Sequence, residues 1–176
     1  AQSLVYAGIA VPPDFHGRPL FGGRPRDHVF TARDRCDMTV DRIRAVRDRR
    51  YKYIRNFMPG RPYTQWNQYI ENSYPALRIL HELHAAGKLN AVQQQFMAPA
   101  RPDVEFYDLQ ADPHEVRNLA QDPAHRERAA RMGRLLDDWI RETHDHGQVP
   151  EPAEVIAREE PRFTKALNEG KSAPAN

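Results

Sequence analysis

The stretch "VRDRRYKYIRNF", Val46 to Phe57, holds four arginines, one lysine and three aromatic rings in twelve residues. Such a composition suits a nucleic-acid-binding stripe, an anion site or a β-hairpin with a charged outer face. Apolar and charged residues alternate with a period of two on both sides of "RDRR", Arg47–Arg50, which is typical of antiparallel strands joined by a tight turn. The sequence therefore predicts a hairpin whose arginines face outward and whose rings cover a core.

The alternation also assigns residues to the two faces of this hairpin. One face is predicted to carry Ile43, Ala45, Tyr51 and Tyr53. The opposite, outer face is predicted to carry Arg42, Arg44, Lys52 and Ile54. Further strands are predicted before the hairpin, in "DHVFTAR" (27–33), and well after it, in "VEFYDL" (104–109).

A long amphipathic helix is predicted after the last strand. Asp122 can cap its start, with Pro123 in the first turn, and the helix runs to about Asp145. The apolar residues of one face recur at helical spacing: Ala129, Met132, Leu135, Leu136, Trp139 and Ile140. This face is predicted to cover the sheet.

Two shorter helices are predicted between the hairpin and the last strand. One begins at Pro75 and ends at Gly87, and the other is capped by Asn90. Strands, then helices, then a strand and a long helix make an α+β fold: a small antiparallel sheet of about four strands packed against a long C-terminal helix.

The predicted domain is residues 27–146. Residues 1–26 are rich in proline and glycine and are predicted to be a connector, and residues 147–176 a Pro-rich polar tail that wraps the surface and ends in disorder. No apolar run approaches the roughly 20 residues that a membrane helix needs. Lys and Arg total 26 against 24 for Asp and Glu, so the net charge of +2 argues against a dedicated nucleic-acid binder.

Several motifs that resemble metal or catalytic sites are interpreted as structural. "HELHA" (81–85) spaces its histidines by three rather than the four a zinc helix needs, and is interpreted as a solvated helix face. "THDHG" (143–147) is interpreted as capping and local packing at a helix end. The single cysteine, Cys36, is predicted to be a small buried side chain. No phosphate loop or nucleophile elbow is present, so the sequence predicts no catalytic residue and no metal ligand.

The segment "RDRCD" (33–37) is the candidate binding site. Arg33, Asp34 and Arg35 gather guanidinium and carboxylate groups beside a predicted strand end. An Arg–Asp pair in a cleft can hold an oxyanion or sugar hydroxyls. The same residues also suit a surface ion-pair network that contributes little, and both interpretations stay open on sequence chemistry.

Three ordered segments resemble the carboxy-terminal part of sulfatases. They are "LVYAGIAVPPDFHGRPLFG" (4–22), "DRIRAVRDRRYKYIRNFMPGRPY" (41–63) and "EFYDLQADPHEVRNLAQDP" (105–123). A fourth, "WIRETHD" (139–145), is similar to the branch of heparan N-sulfatase, or sulfamidase. The resemblance covers roughly residues 4 to 150.

The resemblance implies a small sheet-and-helix domain that follows an alkaline-phosphatase-like catalytic domain. In that family a formylglycine, made from Cys or Ser in a C/S-x-P-S/A-R motif, attacks sulfur while a divalent cation, usually calcium, polarises the sulfate. Cys36 is followed by "DMTV" and does not fit that motif. The resemblance therefore implies that formylglycine and calcium belong to a catalytic domain upstream of this chain, and that this chain alone has no turnover.

The predicted function is thus the carboxy-terminal domain of a sulfatase that acts on a sulfated sugar or another sulfate or sulfamate ester, with the catalytic domain as its partner. Arg33, Asp34 and Arg35 are the expected substrate-side residues, because the matching loop of family members lies near the substrate cleft. Two alternatives are the equivalent domain of a phosphodiesterase or phosphonate monoester hydrolase, and an Arg-rich nucleic-acid-binding module. The compartment, periplasmic or cytoplasmic, stays open.

Overall fold

The computed structural model describes residues 1–36, 39–65, 67–155 and 157–158. Their centre is a four-stranded antiparallel sheet with strands in the order β1–β2–β3–β4. The strands are β1 (Val29–Cys36), β2 (Thr39–Arg47), β3 (Tyr51–Asn56) and β4 (Val104–Asp108). The predicted α+β fold with a four-stranded sheet is confirmed, whereas most of the predicted tail, residues 159–176, lies outside the described residues.

The turn of the predicted hairpin is built by one aspartate. The Asp48 carboxylate accepts hydrogen bonds from the backbone N–H groups of Arg50, at 2.7 Å, and Tyr51, at 2.5 Å. Short polar side chains stabilise turns in this way because they satisfy backbone donors that the turn leaves unpaired. The register then pairs Val46 with Tyr53 across β2 and β3.

The helices lie before β1, between β3 and β4, and after β4. They are α1 (Gln2–Tyr6), α2 (Gln68–Ser73), α3 (Pro75–Ala85), α4 (Ala91–Phe96) and α5 (Arg126–Glu142). Pro75 is the first residue of α3 and Asn90 caps α4, both as the sequence predicts. Asn90 and Gln93 also form a reciprocal capping box. Asp122 caps a short 3₁₀ helix, Pro123–His125, that leads into α5.

The core lies between α5 and one face of the sheet. The buried cluster comprises Val46, Tyr51, Tyr53, Phe106, Leu119, Ala129, Met132 and Leu136. Trp139 of α5 stacks on Phe30 of β1, with ring centroids 5.1 Å apart. Because Gly133 has no side chain, the Tyr53 ring approaches the α5 backbone closely: a β-carbon at position 133 would lie 3.2 Å from the Tyr53 hydroxyl.

The predicted faces of the hairpin are wrong in two respects. Tyr53 lies opposite Val46 and Ile54 lies opposite Ala45, so the tyrosines share the core face with Val46 rather than with Ala45. Arg44, predicted to face outward, also lies on the α5 side, and its side chain is only 1% exposed. Period-two alternation predicts an external position for arginine, but Arg44 is buried because carboxylate partners neutralise its charge.

The free edge of β4 is closed by the segment that follows it. The Asn118 side chain accepts from the N–H of Phe106 and donates to the carbonyl of Val104, and Leu119 N donates to the Phe106 carbonyl at 2.7 Å. An edge strand with unpaired backbone groups invites association with other chains. Asn118 and Leu119 thereby provide hydrogen-bond partners for the backbone groups of this edge, and they anchor the chain that leads to α5.

Large apolar side chains are exposed in the predicted connector. They are Val5, Tyr6, Ile9, Phe15, Leu20 and Phe21. A second exposed group lies on and around α2–α4: Tyr69, Ile70, Tyr74, Ile79, Val92 and Phe96. Cys36, predicted to be buried, is exposed at the end of the edge strand β1. Among the described residues, none of the helices is both long and apolar enough to cross a membrane.

Candidate functional site

A pocket of about 540 Å³ opens at the end of the sheet where β1 finishes and β2 begins. Its lining comes from three parts of the chain: the strand ends, the loop after β3 and the segment after α5. The charged lining residues are Asp34, Arg35, Asp41, Arg42, Arg61, Asp145 and Glu151. Met58, Val149 and Pro150 add apolar surface, so the pocket combines apolar walls with convergent polar groups, as ligand sites do.

A β-bulge shapes this end of the sheet. Arg33 pairs with Ile43 and Arg35 with Val40, so the single residue Asp34 lies opposite two residues of β2. Such a bulge bends the strand locally and redirects its side chains. It brings Asp34 and the bulged residue Arg42 to the same pocket.

Arg44 joins the sheet to the end of α5. Its guanidinium binds Asp145 at 2.5 Å and Asp34 at 2.9 Å, and also donates to the Arg33 carbonyl at 3.1 Å. The hydrogen bonds that Arg44 donates to Asp145 raise the pKa of Arg44, and the same guanidinium lowers the pKa of the Asp145 carboxyl. Gly147 lies directly against this guanidinium: a β-carbon there would fall 1.3 Å from Nη2 of Arg44.

The backbone at the end of α5 positions Asp145 to bind Arg44. His144 takes a positive φ of 51°, and Asp145 N donates to the Ile140 carbonyl at 2.9 Å. This is the hydrogen bond that closes a helix C-terminus in the Schellman arrangement. The chain therefore turns back over the sheet immediately after α5.

A second ion pair lies beneath the pocket. Arg101 binds Asp41 through both terminal nitrogens, one at 2.8 Å, and the two side chains are 2% and 0% exposed. Gln65 donates to the same carboxylate at 2.8 Å. Burial raises the pKa of Asp41, but the hydrogen bonds from Arg101 and the Arg42 backbone outweigh it, so the pKa is lowered overall. Asp41 is thus a fixed anion rather than a proton donor.

Two guanidinium groups of the pocket lack a carboxylate partner within the described part of the chain. Arg42 donates to the Gln148 carbonyl at 3.0 Å, and Arg61 donates to the Val40 carbonyl at 2.7 Å and to Gln65. The four lining carboxylates are already paired: Glu151 with Arg35, Asp41 with Arg101, and the other two with Arg44. Arg42 and Arg61 therefore leave positive charge for an anionic ligand.

The structure separates the residues predicted to bind substrate. Asp34 and Arg35 line the pocket. Arg33 is exposed and is not among the lining residues; its backbone carbonyl accepts from Arg44, and its charge contributes to the lowered pKa of Asp41. Asp37 of the same motif lies outside the described residues.

Sequence reasoning missed the other charged residues of the pocket. Arg42 and Arg61 lie inside the segment 41–63 that carries the family resemblance, but nothing in their local sequence marks them as pocket residues. "THDHG" contributes Asp145 and His146 to the lining, which exceeds the capping role predicted for it. In "HELHA", His81 lies 3.4 Å from Glu71 on the surface. Over the described residues, no group of three His, Cys, Asp or Glu side chains could hold a metal ion.

Comparison with known proteins gives the following similarities. No family model matches the chain. Two curated proteins, both named ulvan-active sulfatase, from Formosa agariphila, are similar to it. One is 37% identical over 131 residues, covering 74% of this chain and 22% of that protein. The other is 27% identical over 157 residues, covering 79% and 27%. The chain thus spans about a quarter of the length of the curated relatives it matches.

Solved structures share the fold. A 2-O GAG sulfatase matches 85% of this chain with 25% of its own, at a TM-score of 0.54 and 22% identity. A structure solved in complex with its substrate D-glucosamine-2-N,6-O-disulfate matches 85% of this chain with 24% of its own, at a TM-score of 0.51 and 16% identity. At these identities the likeness concerns the fold.

Proposed function

The chain belongs to the sulfatase family, and from this premise we propose that it is the carboxy-terminal domain of an enzyme that hydrolyses sulfate or sulfamate esters of sugars. In this proposal it completes the substrate cleft. The match to about a quarter of the curated relatives' length supports a domain role. The sulfamidase branch stays a prediction, since the relatives support the family and not the branch.

The pocket is the proposed contribution of this chain to substrate binding. Arg42 and Arg61 are the observation that carries the proposal, because both guanidinium groups donate only to neutral acceptors in the described part of the chain. A guanidinium binds the oxygens of a sulfate or carboxylate with two parallel hydrogen bonds. Asp34 and Arg35 lie beside them and are proposed to complete the substrate side of the pocket.

The chemical step is proposed to come from a catalytic domain. Formylglycine and calcium, which the family implies, do not fit the described residues: the pocket carboxylates are held by arginines, and Cys36 lacks the sequence that formylglycine formation needs. We therefore assign no catalytic residue here. The apolar side chains exposed between Val5 and Phe21 are the proposed contact with that domain, because exposed apolar clusters mark protein interfaces.

Ligand titration of the chain tests the pocket. We expect glucosamine 2-N,6-O-disulfate to shift backbone NMR signals around Arg42 and Arg61 in a saturable way, and glucosamine without sulfate not to do so. Arg42→Ala and Arg61→Ala should each weaken this binding roughly tenfold, as expected when a charged hydrogen-bond donor is lost. Arg78→Ala, an exposed arginine on α3, is the control.

Two results would overturn the pocket assignment. One is the absence of saturable binding; the other is equal binding by wild type and both pocket variants. Neither result would depend on catalytic turnover.

A further inference from the structure

A second charged surface lies at the opposite end of the sheet. Two adjoining grooves of about 440 and 430 Å³ share Asp27 and His28 in their linings. The arginines that line them, here called the basic end, are Arg18, Arg24, Arg26, Arg49, Arg50 and Arg128. Only two carboxylates, Asp27 and Asp48, share the lining, so the surface is strongly positive although the whole chain is close to neutral.

Three elements of the fold meet the segment before β1 at the basic end. The start of β1 pairs with the end of β2, Val29 opposite Arg47, and the turn after β2 supplies Arg49 and Arg50. The first turn of α5 supplies Arg128. The pocket described above lies near Arg35 and Val40, six residues further along β1. At about 3.3 Å per residue, the two sites are about 20 Å apart.

Most charges of the basic end are uncompensated. Arg50 binds Asp108 at 2.6 Å, and Arg26 donates to the His16 carbonyl. Arg18, Arg24 and Arg49 form no ion pair in the described part of the chain, nor does Arg128. Exposed charges of one sign at this density favour a ligand that carries several opposite charges.

An aromatic ring fixes two of these arginines. The guanidinium carbons of Arg128 and Arg50 lie 4.5 Å and 5.0 Å from the centre of the Tyr51 ring. Cation–π contact restrains a long side chain without neutralising it. Arg128 is therefore held in place at the surface with its charge uncompensated, which lowers the entropy that binding an anion would cost.

We propose that the basic end is a binding site for a sulfated polysaccharide chain, separate from the pocket proposed to contribute to substrate binding. The assignment to a sulfated glycan rests on the proposed function, whereas the anionic nature of the ligand rests on the basic end alone. Nucleic acid fits less well. Tyr51 is buried beneath its arginines and offers no free face on which a base could stack, and the net charge of +2 is small for a nucleic-acid binder.

The test compares three polymers by isothermal titration calorimetry at about 50 mM salt, where charge-dependent binding is strong. The polymers are dextran sulfate, unsulfated dextran and duplex DNA. We expect dextran sulfate to bind more tightly than DNA, and unsulfated dextran not to bind. The affinity for dextran sulfate should fall steeply as salt increases.

Two triple variants with the same charge change locate the site. Arg24→Ala, Arg49→Ala and Arg128→Ala together should weaken dextran sulfate binding roughly tenfold and reduce its salt dependence. The control removes three exposed arginines elsewhere, Arg78, Arg117 and Arg141, and should change the affinity less than about twofold. Thermal melting of both variants checks that they fold.

The outcomes separate this inference from the proposed function. DNA binding as tight as dextran sulfate, an equal loss in both triple variants, or no binding of dextran sulfate would each overturn the basic end as a glycan site. Failure of the pocket assignment would appear instead in the titration with glucosamine disulfate, in which Arg42→Ala and Arg61→Ala are compared with wild type.

Discussion

A single buried guanidinium connects the beginning of the domain's sequence to its end. Arg44 lies in β2, yet its partners are Asp34 in the neighbouring strand and Asp145 after α5, which is 101 residues away in sequence. Both carboxylates also line the pocket. Arg44 therefore links the stability of the domain to the shape of its candidate site.

Replacing this arginine should destabilise the fold. Arg44→Met removes the cation that pairs with the largely buried Asp145 carboxylate. Removing one partner of a buried ion pair costs about 3 kcal/mol or more, because the other charge stays buried without compensation. Urea unfolding followed by tryptophan fluorescence measures the loss. Arg47→Met, on an exposed arginine of the same strand, is the control and should change the free energy of unfolding by less than about 0.5 kcal/mol. Equal effects of the two substitutions would contradict the role given to Arg44.

Gly147 is predicted to be intolerant of a side chain. Gly147→Ala would place a methyl group 1.3 Å from Arg44 Nη2, so the guanidinium must move away from Asp145, at a cost of about 1–3 kcal/mol. Gly60→Ala is the matched control, because nothing lies within 4 Å of a β-carbon there. A melting temperature of Gly147→Ala equal to that of Gly60→Ala would show that the segment after α5 adjusts freely.

Acid should remove part of the stability through Asp108. The hydrogen bonds from Arg50 lower the pKa of Asp108 from 3.8 to about 2. A pKa that is lower in the folded than in the unfolded protein gives stability above the unfolded value, and this stability is lost as pH falls through the folded value. Asp108→Asn should therefore be less stable than wild type near neutral pH, and the difference should shrink between pH 3.8 and about 2. A difference that stays constant in urea unfolding across this range would refute the linkage.

At the scale of elements, α5 is the main stabilising partner of the sheet. Its neighbouring leucines offer a controlled comparison, since Leu136 is fully buried and Leu135 is half-buried. Leu136→Ala should lower the free energy of unfolding by about 3 kcal/mol, because it removes buried surface and leaves a cavity. Leu135→Ala should cost less than about 1.5 kcal/mol. If chemical denaturation gave equal losses, the packing of α5 on the sheet would have to be revised.

The sequence predicted elements better than faces. The hairpin followed from period-two alternation and a turn, and Asn90 signalled the start of α4 correctly. The facing of β2 was wrong because arginine at position 44 looks external until Asp145 is known to be its partner. Arg42 and Arg61 were missed for a related reason. The pocket forms where the bulge in β2 contacts the loop after β3, and a contact between segments distant in sequence leaves no local sequence pattern.

At the scale of the whole molecule, the two ends of the sheet differ in charge compensation. One end holds a pocket in which every lining carboxylate is paired with an arginine, and the other holds the largely unpaired arginines of the basic end. A near-neutral total of 26 basic and 24 acidic residues conceals this asymmetry. Whole-chain composition therefore argues against nucleic-acid binding without excluding a local polyanion site.

Under the proposed function, this chain alone is expected to have no sulfatase activity. With calcium and 4-nitrophenyl sulfate, the chain should release no more nitrophenol than a heat-inactivated control, because none of its described residues supplies the nucleophile or the metal ligands. Release above that control would refute the domain role. The same assay with a sulfatase catalytic domain added in trans tests whether the partner restores turnover.

Cys36 gives the chain a built-in attachment point. It is the single cysteine of the sequence, it is exposed, and it directly follows Arg35 of the pocket lining. A maleimide fluorophore or a nitroxide would therefore couple at one defined position without any background mutagenesis. Its emission or line shape would report the occupancy of the neighbouring cleft in real time, leaving the guanidinium groups themselves unaltered.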